Sequence, residues 1–388
     1  MDVIDVMKSR SYAILAGVLV IAVFGSVFAS CFWHSDSPEE GYSVTGTVTG
    51  LSSYNQPKLD IRADDIFEQG IALGSLFDIK AGDRVFEDAI LLNNYLGTFM
   101  FDKFVNVESD GYISIGCVGK LISVPEGSSV TLTYSGTSDR YQKTPLYNSG
   151  STDVRGDYAS DEVFANFYEV TGGDIKVGVL YRSFSPLYSP EKQTRSAYVD
   201  DLAEKAGVEY LVALSYSDDS VKKAAESLDG YCATLCKEGD YVAPAMGYLY
   251  FQEKGKTVST LKGIMDNDGP YLVHCNVGRD RTGFVVLLLQ SLCGCSVDEM
   301  KECESRAFCN LYHIEEGSPE HETVKYCTYD RNMFLIANPD RIPDIFDIAW
   351  DRIDVSSVDP YSAAYSYCTG YLGLTDDEVL KIKERLCS

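Results

Sequence analysis

The sequence predicts an α/β protein in three parts. A sandwich on a central, mostly parallel sheet is expected over residues 157–388, a small β domain over residues 41–136, and a signal or transmembrane helix within residues 1–33. Three observations lead there. Apolar runs alternate with helix-patterned segments in the second half of the chain. Short alternating or β-branched stretches bounded by Gly, Ser and Asp fill residues 41–136. An uncharged apolar run occupies residues 12–33.

The amino-terminal run decides the expected compartment. Lys8 and Arg10 precede YAILAGVLVIAVFGSVFASCFW, which is long enough to span a bilayer and has its positive charge on the amino-terminal side. The body is therefore expected outside the cytoplasm, membrane-anchored through residues 12–33 or secreted. A buried core helix is the competing reading, and the polar stretch HSDSPEE that follows opposes it. Val27-Phe28-Ala29 suits a signal peptidase. Ala29-Ser30-Cys31 resembles a bacterial lipoprotein box, with Phe28 where Leu is usual, and Cys31 would then carry the lipid.

In the β domain, residues 42–49, 112–117 and 130–134 read as strands. The stretch KLDIRADDIFEQGIALGSLFDI, with YISIG and SVTLTYSG after it, is similar to the small carboxyl-terminal barrel of S-adenosyl-L-methionine hydroxide adenosyltransferases. The resemblance implies a barrel-like fold and carries over no chemical motif, so an accessory or recognition role is expected. Residues 137–156, rich in Ser, Thr, Gly and Asp, have the composition of a linker.

Beyond the linker, strands are expected at 177–181, 210–214 and 271–273, and helices at 198–206 and 282–293. Two capping boxes, Ser296-x-x-Glu299 and Thr375-x-x-Glu378, start helices near Val297 and Asp376, the second with a Leu374/Val379 staple. The twelve cysteines are scattered. Cys232/Cys236 lie four apart and Cys293/Cys295 two apart, neither of which is a metal knuckle, so most read as buried apolar residues or an occasional disulfide. No metal and no cofactor is expected. A net charge of −25 opposes nucleic acid as a partner, so any phosphate ligand must be held by a local cationic pocket.

Such a pocket is written into PYLVHCNVGRDRTGF, residues 270–284: a short buried strand, a loop with a Cys and an Arg six positions apart, and an apolar helix. A loop between a strand end and a helix start aims successive N–H groups at one spot, making an anion nest backed by the helix dipole. The backbone from Asn276 through Val277, Gly278 and Arg279 to Arg281 is the expected phosphate site. The same field favours the thiolate of Cys275. Arg281 can bind two phosphate oxygens with its planar fork, and Thr282 can hydrogen-bond the sulfur. Gly278 and Gly283 permit turns and close approach, while His274 is expected to buttress the loop rather than titrate.

HCNVGRDRTG resembles the HCx5R[ST]G signature of the cysteine-dependent tyrosine phosphatase superfamily, and within it the HCxxGKDRTG loop of bacterial tyrosine/dual-specificity and phosphoinositide-like phosphatases. Asn166-Phe167 with Gly172-Gly173, and Gly178-Val179-Leu180-Tyr181-Arg182-Ser183, echo the NFR-x-x-GG and YRS patterns of that branch, so the likeness runs over roughly residues 160–388. The sequence departs at two places: Arg279 replaces the usual Lys, and Ala213-Leu214-Ser215 replaces an Asp-Leu-Arg strand end, which removes a charged support of the loop.

The resemblance implies a phosphoric monoester hydrolase. Cys275 attacks phosphorus, Asp280 protonates the leaving oxygen, and water then hydrolyses the phospho-cysteine with Asp280 as base. Alternative acids are Asp240, Asp266 and Asp268, of which Asp240 has the more suitable sequence distance. Asp280 would instead be structural if it paired with Arg182 or another cation. The expected substrate is a phosphotyrosine protein, with phosphoserine or phosphothreonine possible. Inositol phosphates or phosphoinositides are the alternative, motivated by Arg279. A non-catalytic phosphate-binding lipoprotein and rhodanese-like sulfur transfer are the remaining readings.

Overall fold

The computed structural model describes residues 41–52, 55–93, 98–99, 101–118, 122–138, 151–189, 193–350 and 352–388. Among them no helix is long and apolar enough to cross a membrane. The segment 12–33 and Cys31 lie outside the described residues.

Seven strands close into a barrel: β1 (Ser43–Leu51), β2 (Pro57–Arg62), β3 (Ser75–Ala81), β4 (Arg84–Leu92), β5 (Lys103–Val107), β6 (Tyr112–Cys117) and β7 (Ser129–Thr137). Their order is β1-β2-β6-β5-β4-β3-β7, with β7 pairing back onto β1. The period-two pattern fills the interior: Leu59 and Ile61 of β2 point in while Asp60 and Arg62 point out. A short helix, α1 (Ala63–Phe67), follows β2 and adds Ile66 to the core.

Among the described residues, only β4 and β5 are parallel neighbours in this wall. Parallel strands cannot be joined by a tight turn. Of the connection between them, the described residues Phe99, Phe101 and Asp102 reach the second half of the molecule. There Phe101 lies 4.8 Å, ring to ring, from both Phe251 and Trp350.

The second half is built on a five-stranded sheet of β8 (Tyr168–Glu169), β9 (Leu180–Ser183), β10 (Tyr210–Ala213), β11 (Tyr241–Val242) and β12 (Tyr271–His274), in the order β11-β10-β12-β9-β8. All pairs are parallel except the edge pair β8–β9. Its helices are α2 (Asp161–Ala165), α3 (Arg195–Ala206), α4 (Asp218–Ser227), α5 (Tyr231–Glu238), α6 (Lys254–Asp266), α7 (Asp280–Leu292), α8 (Val297–Tyr312), α9 (Pro319–Lys325), α10 (Arg331–Ala337), α11 (Pro360–Ser366) and α12 (Asp376–Leu386). In α7 every residue from Thr282 to Leu292 is buried. A helix apolar on all sides has no solvent face, so α7 forms the centre, between the sheet and α8, α10 and α11.

Both expected capping boxes are present, at Ser296/Glu299 and Thr375/Glu378, and start α8 and α12 at Val297 and Asp376. One expectation needs correction. The strand expected at 177–181 begins only at Leu180, because Gly178 sits at φ +76° and gives its N–H to Glu169 Oε1, turning the chain first. The end of the expected linker is folded. Thr194 Oγ1 donates to the Asp153 carbonyl at 3.1 Å, and the buried Arg195 guanidinium donates to the Thr152 carbonyl, since a buried cation must find acceptors. The described cysteines are all free thiols, and all but Cys309 and Cys387 are buried.

Candidate active site

Strand β12 delivers Cys275 at its carboxyl end, and α7 begins five residues later at Asp280. The loop between them is held from behind by its carbonyls. Ser185 N–H donates to Asn276 O (3.1 Å), Asn166 Nδ2 to Val277 O (3.1 Å), and Arg182 Nη2 to Gly278 O (3.0 Å) and Arg279 O (3.4 Å). In a trans peptide the C=O and the next N–H point opposite ways. With four carbonyls engaged from behind, the N–H groups of Val277, Gly278, Arg279 and Asp280 are left on the opposite side of the loop, the arrangement that an anion nest requires. Gly278 is required here: its φ is +74°, and a Cβ would collide with the Ser183 carbonyl of β9.

Cys275 is 1% exposed at the centre of this loop. Burial acts to raise its thiol pKa, but the Arg281 guanidinium and the hydroxyl and N–H of Thr282 outweigh burial and the opposing Asp280 charge, so it lies below the ordinary thiol value. Arg281 donates from Nη1 to Met246 O at 3.0 Å and lies 5.4 Å from the ring centroid of the exposed Tyr248. Tyr188 and Tyr216 stand near the same thiol, with ring centroids 6.5 Å apart.

His274 is fully buried, with Nδ1 3.1 Å from the Cys275 carbonyl. A carbonyl only accepts, so Nδ1 carries the proton. Burial pushes the ring pKa from 6.5 down to about 4. The unfolded chain then takes up this proton near pH 6.5 and the folded chain only near 4, so stability is lost as pH falls through that window, by about 3 kcal/mol. Urea titrations at pH 7 and 4.5 should show wild type losing more stability on acidification than His274→Asn. Equal losses would contradict a neutral buried imidazole.

The support that Ala213-Leu214-Ser215 lacks is supplied from elsewhere. Arg182 of β9 and Glu304 of α8 form a buried ion pair at 2.7 Å directly behind the loop. Gly283 makes room for it, since a Cβ there would collide with Glu304 Oε2. Ser215 itself donates to Asn276 Oδ1 at 2.7 Å. Sequence reasoning missed Glu304. Its signal was an arginine at the centre of an apolar strand, which demands a buried partner.

Asp280, the first residue of α7, accepts from Arg279 Nε at 3.0 Å, so the cation pairing that a structural carboxylate would make is present, through Arg279 and not Arg182. The other expected acids lie elsewhere. Asp240 O accepts from Leu211 N–H, beside the start of β10, whereas Cys275 follows the end of the parallel neighbour β12. Asp266 and Asp268 precede Tyr271 and lie at that same far end. A strand's length separates all three from the thiol, because parallel strands put their starts together and their ends together.

A family model described as the tyrosine phosphatase family matches residues 165–388. Among solved structures, that of an uncharacterized conserved protein from Thermotoga maritima is similar at 15% identity and a TM-score of 0.22, over 26% of this chain. The chain spans 40% of that protein's length. No curated protein matches.

Proposed function

Because this chain belongs to the tyrosine phosphatase family, we propose that it hydrolyses phosphate monoesters, phosphotyrosine in proteins foremost, through a phospho-cysteine on Cys275. The observation that carries this is geometric: a buried thiol at the end of β12 opens a loop whose carbonyls are held from behind, with Arg281 and Thr282 in the first turn of the helix that follows, and the guanidinium draws the thiol pKa down despite burial. A thiol buried for packing alone has its pKa raised, as at Cys368.

In the proposed cycle the Cys275 sulfur forms a bond to phosphorus as the bond to the leaving oxygen breaks. Three equatorial oxygens rest on the inward N–H groups and the Arg281 fork. Asp280 gives its proton to the leaving oxygen, then accepts one from the water that attacks the thiophosphate, and Thr282 stabilises the departing thiolate. Tyr188 and Tyr216 lie near the thiol and the exposed Tyr248 lies beside Arg281, which suits an aryl ester. The apolar segment 12–33 would hold this activity at the outer face of a membrane.

An inositol phosphate would call on Arg279 as a second cation. That guanidinium is engaged by Asp280 and Tyr312, which favours the single phosphate of a protein monoester. A purely phosphate-binding role would not require Cys275, Asp280 and Arg281 together. The test is phosphate release from a panel of phosphotyrosine peptide, phosphoserine peptide and soluble inositol phosphates, with vanadate as inhibitor. Asp280→Asn is expected to lower kcat on the phosphotyrosine peptide about 100-fold. Faster turnover of inositol phosphates than of peptide would overturn the substrate assignment.

A further inference from the structure

The β4–β5 connection places Phe99 against the back of the phosphate loop. Phe99 stacks on Phe308 of α8, with ring centroids 5.6 Å apart and planes 30° from parallel. The Arg279 guanidinium lies 4.9 Å from the Phe308 centroid and 5.6 Å from that of Tyr312, and Nη1 donates to the Tyr312 hydroxyl. Its Nε holds Asp280 Oδ2 at 3.0 Å. A chain of contacts thus runs from the barrel to the carboxyl group assigned to proton transfer.

The barrel end of this chain is tied into the second half by hydrogen bonds and an ion pair. Phe99 N–H donates to Asp102 Oδ2 at 2.8 Å, and Asp102 Oδ1 lies 2.8 Å from Arg331 Nη2 in an ion pair that is almost wholly buried. Lys103, next along, donates from Nζ to Ile348 O at 3.1 Å. A cavity of about 20 Å³ is lined by Phe99 and Phe101 together with Arg279, Asp280 and Glu304, so the two halves of the molecule share a boundary beside the acid.

We propose that the barrel is a positioning element of the catalytic site: Phe99, acting through Phe308, fixes the plane of the Arg279 guanidinium and with it the direction in which Asp280 presents its proton. A guanidinium stacked on aromatic rings keeps one plane, and a carboxylate bonded to its Nε follows that plane. The inference rests on Asp280 being the proton donor. Its separable content is that a residue of the β4–β5 connection, outside the phosphate loop, controls that donor.

The experiment compares full-length variants on two esters that differ in their need for an acid. Phenyl phosphate expels a basic phenoxide, whereas 2,4-dinitrophenyl phosphate expels a stable anion. Phe99→Ala is expected to lower kcat on phenyl phosphate about tenfold and on the dinitrophenyl ester less than about twofold, with Phe99→Leu restoring most of the loss. Asp280→Asn should show the same selectivity more strongly. Phe308→Leu, which keeps the volume and removes the ring face, should reproduce Phe99→Ala and serves if that variant does not fold. Equal losses on both esters, or none, would overturn the barrel's role while Asp280→Asn stays selective. An unselective Asp280→Asn would overturn the proton-donor assignment and the inference with it.

Discussion

Exchanging Cys275 for serine should lower phosphate release on the order of 10⁴-fold. The cause is the difference between the two nucleophiles. Arg281 and Thr282 bring the buried Cys275 thiol below its ordinary pKa, so the thiolate is accessible. A serine hydroxyl starts far too high for the same field to ionise it, and His274 Nδ1 is no base for it, since it carries its proton toward the Cys275 carbonyl. The variant should still bind phosphate, because the inward N–H groups and Arg281 are unchanged. Two measurements check this: release of inorganic phosphate from a phosphotyrosine peptide, and the rate of iodoacetate alkylation against pH. Wild type should be alkylated rapidly below the pH at which free cysteine reacts. Full activity after stoichiometric alkylation of Cys275 would sink the covalent mechanism.

The second large effect concerns the ion pair behind the loop. Glu304→Ala leaves the wholly buried Arg182 without its carboxylate, and such a loss costs about 3–5 kcal/mol. Replacing both members together, Arg182→Met with Glu304→Leu, should restore most of the urea midpoint, because an apolar pair of similar volume needs no counter-charge. It should not restore catalysis. Arg182 also donates to the carbonyls of Gly278 and Arg279, and without it those peptides are free to turn their N–H groups out of the nest. Recovery of stability with kcat/KM still reduced at least tenfold is the expected pair of results. Recovery of both would show that the pair serves packing alone.

These two cases mark where local reading of the chain succeeded and where it stopped. The loop 275–281 was legible because its chemistry is contiguous: strand end, glycine turn, arginine and helix start occur within one short segment. The capping boxes were legible for the same reason, as each is closed by residues three apart. Glu304 was not, because it lies 122 positions from Arg182 and nothing on α8 distinguishes it from an exposed helical glutamate. Asp240 attracted attention by its distance in sequence from Cys275. Parallel pairing puts it at the start of the sheet while the thiol is at the end. Barrel closure was likewise beyond the alternation pattern, which shows which side chains face inward but not that β7 returns to β1.

By itself the sequence determined the strand–loop–helix segment that carries Cys275 and Arg281, the α/β succession around it, and the starts of the capped helices, all set by interactions between near neighbours along the chain. Only the tertiary structure decided which carboxylate neutralises Arg182, which aspartate stands next to the thiol, and that the barrel leans on Arg279 through Phe99 and Phe308. Those depend on strand order, register and the crossover that parallel β4 and β5 require. Pairings between distant segments are chosen by burial of the whole assembly, so no short window of residues contains them.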